Sequence, residues 1–265
     1  MMLVVGATAF FGRQAVETLA ARGVPVRALT RNPSSAALPA GVQTVQADLT
    51  KPETLPAAVE GVSAVLLVLP LGLDPAPLLD LVPGRRIVVL SSSTKTAYHQ
   101  RLEEAVAAAT PQWTALRILF PAINSFAFAQ QLPHGDVLRV PYPTATTTAV
   151  HERDVAEAAA AVLTGEGHAG RVYELTGPES LTQEDQAGVL AEALERPLRV
   201  EAADPDAVLR QLSAFMDADF AAGLLAAMER TTTGPAAVTP AVEELTGHPA
   251  RPYAEWVRDH LEAFR

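Results

Sequence analysis

Cysteine is absent from all 265 residues. Disulfides, thiolate metal sites and a cysteine nucleophile are thereby excluded, and the compartment is left undecided on that count. Cations are scarce: 20 Lys and Arg stand against 30 Asp and Glu, a net charge of −10. Such a chain repels nucleic acid and anionic membrane unless its few cations cluster. Aromatics make up only 5%, too few for a base-stacking platform. No apolar run approaches the roughly 18 residues of a membrane span. The start, MMLVVGATAF, has a cleavage-like Ala7-Thr8-Ala9 but lacks a basic n-region and a long apolar stretch, so it reads as a buried first strand. The expectation is a cytoplasmic protein, monomer or homodimer, that binds a small-molecule substrate and neither nucleic acid nor membrane. The six histidines (His99, His134, His151, His168, His248, His260) follow no metal-ligand spacing, and HExxH and GxSxG are both missing. No metal is expected.

What is present is apolar. The chain is 49% hydrophobic and 19% charged, which suits a large packed core and not disorder. Its length fits one large domain, or a domain with an appended lobe. The first half alternates strand-like and helix-like segments. Leu3-Val4-Val5 is a short β run. Phe11 to Ala21 carries Ala15, Val16, Leu19 and Ala20 at helical spacing, with Gly23 closing it. Strands follow over 24–29 and 42–47, then a helix over 52–60 opened by Pro52. The runs AVLLVL (64–69) and IVVL (87–90) are continuous, as in strands buried on both faces of a parallel sheet. A helix over 101–109 and a strand over 114–119 complete the pattern of an α/β, doubly wound parallel sheet of Rossmann type.

Residues 121–150, rich in Pro, Thr and Ala, read as irregular. A helix over 154–163, a strand over 171–175, a helix over 182–195 with a Thr182–Asp185 capping box, and a strand over 198–202 come next. Residues 204–264 read as three or more helices. The expected division is a cofactor-binding core over 1–125 with returning segments from 150–178, and a smaller, mainly helical lobe over 126–265.

The turn Gly6-Ala7-Thr8-Ala9-Phe10-Phe11-Gly12 lies directly after the first strand and opens the first helix. Backbone N–H groups at a helix N-terminus are unsatisfied and aligned with the helix dipole, so they suit a pyrophosphate. The spacing is GxxGxxG with Ala9 in the middle position, where a methyl crowds the phosphate or demands a shifted turn. The motif alone leaves a plain strand–helix turn open. The second strand ends in Thr30-Arg31-Asn32-Pro33, with an arginine and no acid. An acid there binds a ribose 2′-hydroxyl, whereas a guanidinium matches a 2′-phosphate, so NADP(H) is the expected cofactor. The plain alternative is a solvated strand-end arginine. Asp48-Leu49 and Leu69-Pro70 also stand at carboxyl ends of strands, the edge where open α/β sheets bind ligands. Asp48 suits an adenine amino group, or equally a turn before Lys51-Pro52.

These residues resemble the NmrA-like group of atypical short-chain dehydrogenases, which includes quinone reductases, triphenylmethane reductases and redox-sensing regulators. The matching segments are VVGATAFFG, VRALTRNP, QADLTKPETL, Trp113 to Arg117 with Asn124 beyond, His151 to Ala156, Tyr173 to Glu179, and Glu244 to Tyr253. The resemblance implies an extended Rossmann fold, NADP(H) in the N-terminal part and a small C-terminal lobe forming a substrate cleft. Two departures stand out. Relatives read TGATG where this chain has Val5 to Ala9, and they carry an Arg-Pro pair where Arg117 is followed by Ile118.

The resemblance also implies where the chemistry sits. Short-chain dehydrogenases pair a serine with Tyr-x-x-x-Lys. Ser91-Ser92-Ser93 follow the fifth strand, but Tyr98 is followed four residues later by Leu102, so the tyrosine of the motif is missing. His99 with Glu103 fits the His/Lys-x-x-x-Glu pattern of the group, which places His99 at the lysine and Lys95 at the tyrosine. His99 is thus a candidate to orient the nicotinamide ribose or to donate a proton, since imidazole titrates near neutrality. An exposed helix histidine is the alternative. Ser92 is a candidate hydrogen-bond donor, Ser91 a candidate cofactor contact, and both fit turn chemistry as well. Transfer to an electron-poor conjugated acceptor requires mainly alignment, with the proton taken from water. Asn124, Phe126 and Tyr142 are the candidate substrate contacts, with Phe128, Phe215, Met216 and Phe220 as further bulky candidates, each of which also fits a core. Two activities remain open: an NADPH-dependent reductase of a quinone-like or conjugated small molecule, and a non-catalytic NADP(H)-sensing regulator that binds a protein partner.

Overall fold

The computed structural model describes residues 1–265. Its elements begin with β1 (Met2–Val5), α1 (Phe10–Ala21), β2 (Val26–Thr30) and β3 (Gln43–Gln46). They continue with α2 (Pro56–Val59), β4 (Ala64–Leu67), α3 (Ala76–Leu79), β5 (Arg86–Ser92), α4 (Ala97–Ala109) and β6 (Trp113–Ile118). The six strands pair in parallel. With Arg171–Leu175 beside β6 they form a seven-stranded sheet in the order β3-β2-β1-β4-β5-β6 and then 171–175. The order reverses between β1 and β4, the switch point of a Rossmann-type α/β fold. Burial follows the sequence pattern. Ala64 to Leu67 and Ile87 to Val89 are fully buried, whereas edge strand β3 is largely exposed and polar.

The chain divides into two compact units, Met1–Ile118 with Arg153–Glu174, and Leu119–Glu152 with Leu175–Arg265. The first unit holds the sheet and a core of Leu3, Val5, Leu55, Val65, Leu67, Leu78, Ile87, Val89 and Val106. The helix Glu152–Thr164 is tied to it by Arg86, which donates to the Leu163 carbonyl at 2.7 Å. In the second unit a strand, Val137–Val140, pairs in parallel with Arg199–Ala202. Its core gathers Leu138, Leu190, Tyr253, Trp256 and Val257. There the buried Glu152 accepts from Trp256 Nε1 at 2.8 Å and pairs with His260 Nε2 at 2.9 Å, while Tyr253 donates to Ser125 at 2.7 Å. No helix is long and apolar enough to cross a membrane.

Three local expectations change. The helix expected over 52–60 is a 3-10 turn, Pro52–Thr54, followed by α2. Pro56 has no N–H to give the preceding turn and its ring excludes a continuous α-helical path. The irregular 121–150 segment contains a strand, because its partner lies about sixty residues away and leaves no local signal. Helix α4 starts at Ala97, one turn before the expected Arg101, after a turn in which Lys95 takes φ +52°.

A half-buried ion pair joins α4 to the sheet. Arg117 on β6 donates to both Glu103 oxygens, at 2.9 and 2.6 Å, and Ser91 on β5 donates to Glu103 at 2.6 Å. Burial alone would raise the Glu103 carboxyl, but the hydrogen bonds from Arg117 and Ser91 and the guanidinium charge outweigh it and hold the carboxyl below the ordinary range. A depressed carboxyl contributes stability above its unfolded value and loses it as pH falls through the folded one. Acid titration of wild type and Glu103→Gln is expected to show this difference. The variant should be less stable by about 1–3 kcal/mol at neutral pH, and the gap should close on acidification below the ordinary carboxylate range.

Glycine geometry supplies a second prediction. A Cβ on Gly12 would lie 2.1 Å from the Gly6 carbonyl oxygen, a backbone atom that cannot swing aside. Gly12→Ala is expected to lower unfolding free energy by about 1–3 kcal/mol or more. Ala9→Gly, at an exposed N-cap, should stay within about 0.5 kcal/mol of wild type. Urea denaturation followed by circular dichroism distinguishes the two.

Candidate active site

In the first unit, register brings the ends of β1, β2 and β4 close to level, with β5 running three residues further. Val5 pairs with Leu29 and with Leu67, and Leu67 pairs with Val89. Gly6, at φ +74°, leaves β1 against β4: a Cβ there would sit 2.1 Å from the Val68 carbonyl oxygen. With the Gly12–Gly6 approach, this draws the N-terminus of α1 up to the sheet edge. Ala9 is its N-cap, at φ −72° and ψ 158°, and its N–H donates to Gly6 O at 2.9 Å. The extended backbone at Ala9 accommodates a Cβ. Thr8, Ala9 and Phe10 are exposed, and Phe11 is half-buried with its ring edge-on to Phe10. No side chain caps α1, and its first turn has no acid. The first N–H groups of a twelve-residue helix therefore present their positive end uncontested. A glycine-tight turn under an uncapped helix start fits a pyrophosphate.

Beyond β2, Arg31 is exposed, and its carbonyl is held by Gln46 Nε2 at 3.2 Å. Asp48 accepts from the N–H and hydroxyl of Thr50, at 2.9 and 2.8 Å. These bonds, aided by the charges of Arg31 and Lys51, hold its carboxyl below the usual range. Its neighbour Leu49 belongs to the hydrophobic core, so its side chain packs inward beneath that edge. Leu69 is half-buried against the same core, and Pro70 is exposed.

After β5, Ser91 and Ser92 are both buried and both engaged. Ser91 donates to Glu103, and Ser92 Oγ accepts from the N–H and hydroxyl of Thr94, at 3.2 and 3.0 Å. Lys95 is exposed. His99 lies in the first turn of α4, 7% exposed, with Nδ1 2.8 Å from the Thr96 hydroxyl. It is not the exposed helix histidine of the alternative. Glu103 stands one turn further along, so the ion pair fixes the helix that carries His99. Tyr98 turns away: its hydroxyl reaches the carbonyls of Pro70 and Leu73, at 3.0 and 3.2 Å. Burial and the charge of Asp74 raise its phenol above the ordinary value.

The substrate candidates lie in the second unit and are not brought together there. Asn124 is exposed on a 3-10 turn. Phe126, expected in a substrate wall, packs among Trp256, His260 and Phe264 with ring centroids 5.2–5.9 Å away, which makes it a core aromatic. Phe128 is buried in the same core. Tyr142 takes φ +52° and packs against a separate apolar cluster of Phe120, Leu225 and Met228. Phe215 is 85% exposed, and Met216 and Phe220 are half-buried. Sequence reasoning missed the anchoring roles of Tyr98 and Arg13, whose partners are backbone carbonyls 23–28 residues away.

Residues 6–110 match the family model described as NAD(P)H-binding. Over its whole length the chain is 36% identical to a (4-alkanoyl-5-oxo-2,5-dihydrofuran-3-yl)methyl phosphate reductase of Streptomyces griseus, 99% of which is covered. It is 29% identical, again over its whole length and 99% of the relative, to an NAD(P)H azoreductase of Xenophilus azovorans. Among solved structures, the NADPH complex of an NADPH-dependent quinone oxidoreductase from Escherichia coli matches 98% of this chain and 100% of its own, with TM-score 0.84 and 26% identity. The chain belongs to the NmrA-like group of atypical short-chain dehydrogenases/reductases and is an NAD(P)H-dependent reductase.

Proposed function

We propose that this reductase transfers hydride from NADPH to an electron-poor conjugated small molecule, quinone-like in character, without a Tyr-x-x-x-Lys pair. The observation that carries the proposal is the commitment of Tyr98. The phenol on the first turn of α4 is spent on the carbonyls of Pro70 and Leu73, and Lys95 occupies the position where the motif has its tyrosine. A simple ketone needs such a donor to stabilise the developing alkoxide. A quinone, or an alkene between two carbonyls, spreads that charge over its own conjugated system. The names of the relatives support the same class: a dihydrofuranone with an alkanoyl group, an azo compound and a quinone.

The bound cofactor supplies hydride, and solvent supplies the proton that completes the two-electron reduction. The protein's part is placement. The N–H groups of Phe10, Phe11 and Gly12 take the pyrophosphate, with Thr8 and Ala9 forming the approach. Arg31 takes the 2′-phosphate. Asp48 keeps one carboxylate oxygen for the adenine amino group. Leu69 and Pro70 form the floor after β4, with Leu49 beneath it. His99, oriented by Thr96, holds the nicotinamide ribose, and Ser91 and Ser92 shape the end of β5 beside it. Asn124 and Tyr142 are proposed substrate contacts, Phe126 acting only through the core it packs in.

Two experiments test these assignments. NADPH should bind more tightly than NADH, and Arg31→Ala should cut that preference about tenfold or more, the effect of losing one charge-assisted phosphate contact. Equal affinities in the wild type would sink the assignment. For His99, single-turnover reduction of a quinone by bound NADPH is measured across pH. With a ribose-holding role, His99→Lys keeps near-wild-type rates, His99→Phe loses about tenfold through poorer placement, and no rate falls with rising pH through the imidazole range. A rate that declines there in wild type and flattens in His99→Phe would make His99 a proton donor instead.

A further inference from the structure

We infer that Arg13 is a positioning residue for cofactor selection, acting through the loop that follows Arg31. The inference rests on the assignment of Arg31 to the 2′-phosphate. Arg13 follows Gly12 on the first turn of α1, directly beside the proposed pyrophosphate turn. Its two terminal nitrogens donate to the carbonyls of Ala36 and Ala37, at 2.7 and 2.8 Å. A guanidinium bonded to two main-chain acceptors is already oriented, and through those bonds it acts on the loop.

The loop needs holding. Ala37 takes φ +45°, a conformation that a residue with a Cβ rarely adopts. Its near end is fixed differently, by Gln46 on the Arg31 carbonyl. Arg13 thus closes a bracket: one side chain joins the start of α1 to the far end of the loop. The pyrophosphate and the 2′-phosphate of one cofactor lie at a separation set by covalent structure, so a site that reads both must keep their two protein contacts at a constant distance. NADH has no 2′-phosphate and is indifferent to where the loop stands. A role confined to folding would change both affinities alike.

Binding of NADPH and NADH to the full-length protein, followed by fluorescence titration, tests this in wild type, Arg31→Ala, Arg13→Ala and Arg13→Ala combined with Ala37→Gly. Arg13→Ala should lower the NADPH preference about fivefold or more, with NADH affinity held within about twofold. Adding Ala37→Gly should recover part of it, because glycine adopts positive φ without strain. If Arg13→Ala does not fold, Arg13→Lys, which can reach one carbonyl at a time, should give a preference between those of wild type and Arg31→Ala. An unchanged preference in Arg13→Ala, or an equal loss for both cofactors, overturns the inference. Failure of Ala37→Gly to recover any preference overturns it as well, by assigning Arg13 directly to the phosphate. An unchanged preference in Arg31→Ala overturns the underlying assignment of Arg31 instead, so the two failures are distinguishable.

Discussion

Two close backbone approaches in the first unit fix the corner on which the proposed site depends. Gly6 lies against the Val68 carbonyl and Gly12 against the Gly6 carbonyl, each with no room for a Cβ. Together they lock β1, the segment after β4 and the start of α1 into one rigid corner at the point where the strand order reverses. That corner aims the uncapped N–H groups of α1 at the sheet edge. Ala9 is outside it, on ordinary extended backbone, so replacing the middle glycine costs the turn nothing in shape. Glycine is demanded where the chain touches itself, and Ala9 stands where it does not.

A chain of net charge −10 must still attract a polyanionic cofactor. It does so locally. Charges beyond a Debye length, about 10 Å at moderate salt, are largely screened. The first turn of α1 carries no acid, and Arg31 stands where an acid would select against a 2′-phosphate. The remaining acid near that edge, Asp48, has one oxygen turned onto Thr50. Selectivity is then a matter of a few groups at fixed separations and not of overall charge.

The sheet was legible because its strands are buried on both faces and read as unbroken apolar runs, AVLLVL and IVVL. The strand-to-helix turn from Gly6 to Gly12 was legible because glycine and helix start fall at fixed spacing. Less legible was everything held by contacts distant in sequence. The strand Arg199–Ala202 was expected, but its partner Val137–Val140 lies about sixty residues earlier and alone is too short to announce itself. The bonds of Arg13 to Ala36 and Ala37 and of Tyr98 to Pro70 and Leu73 end on main-chain carbonyls, which carry no residue signature at all. Phe126 misled because an aromatic residue after a sheet strand has the same appearance whether it faces a ligand or, as here, Trp256, His260 and Phe264. The early start of α4 escaped because Lys95 closes the preceding turn at positive φ without being a glycine.

Helix α4 shows how the unit divides its labour. In its first turn Tyr98 is tied to the loop after β4, and His99 is oriented by Thr96. One turn further on, Glu103 is clamped by Arg117 from β6 and Ser91 from β5. The helix is therefore anchored to three neighbours by polar bonds rather than by packing alone, and those bonds have defined directions where apolar contacts do not. A tyrosine used as an anchor cannot also serve as a mobile proton donor, because donating its proton would leave two carbonyl oxygens facing a phenolate. The rigidity that places His99 and the commitment of Tyr98 thus follow from the same bonds, and the proposed acceptor, which stabilises its own negative charge, is consistent with them.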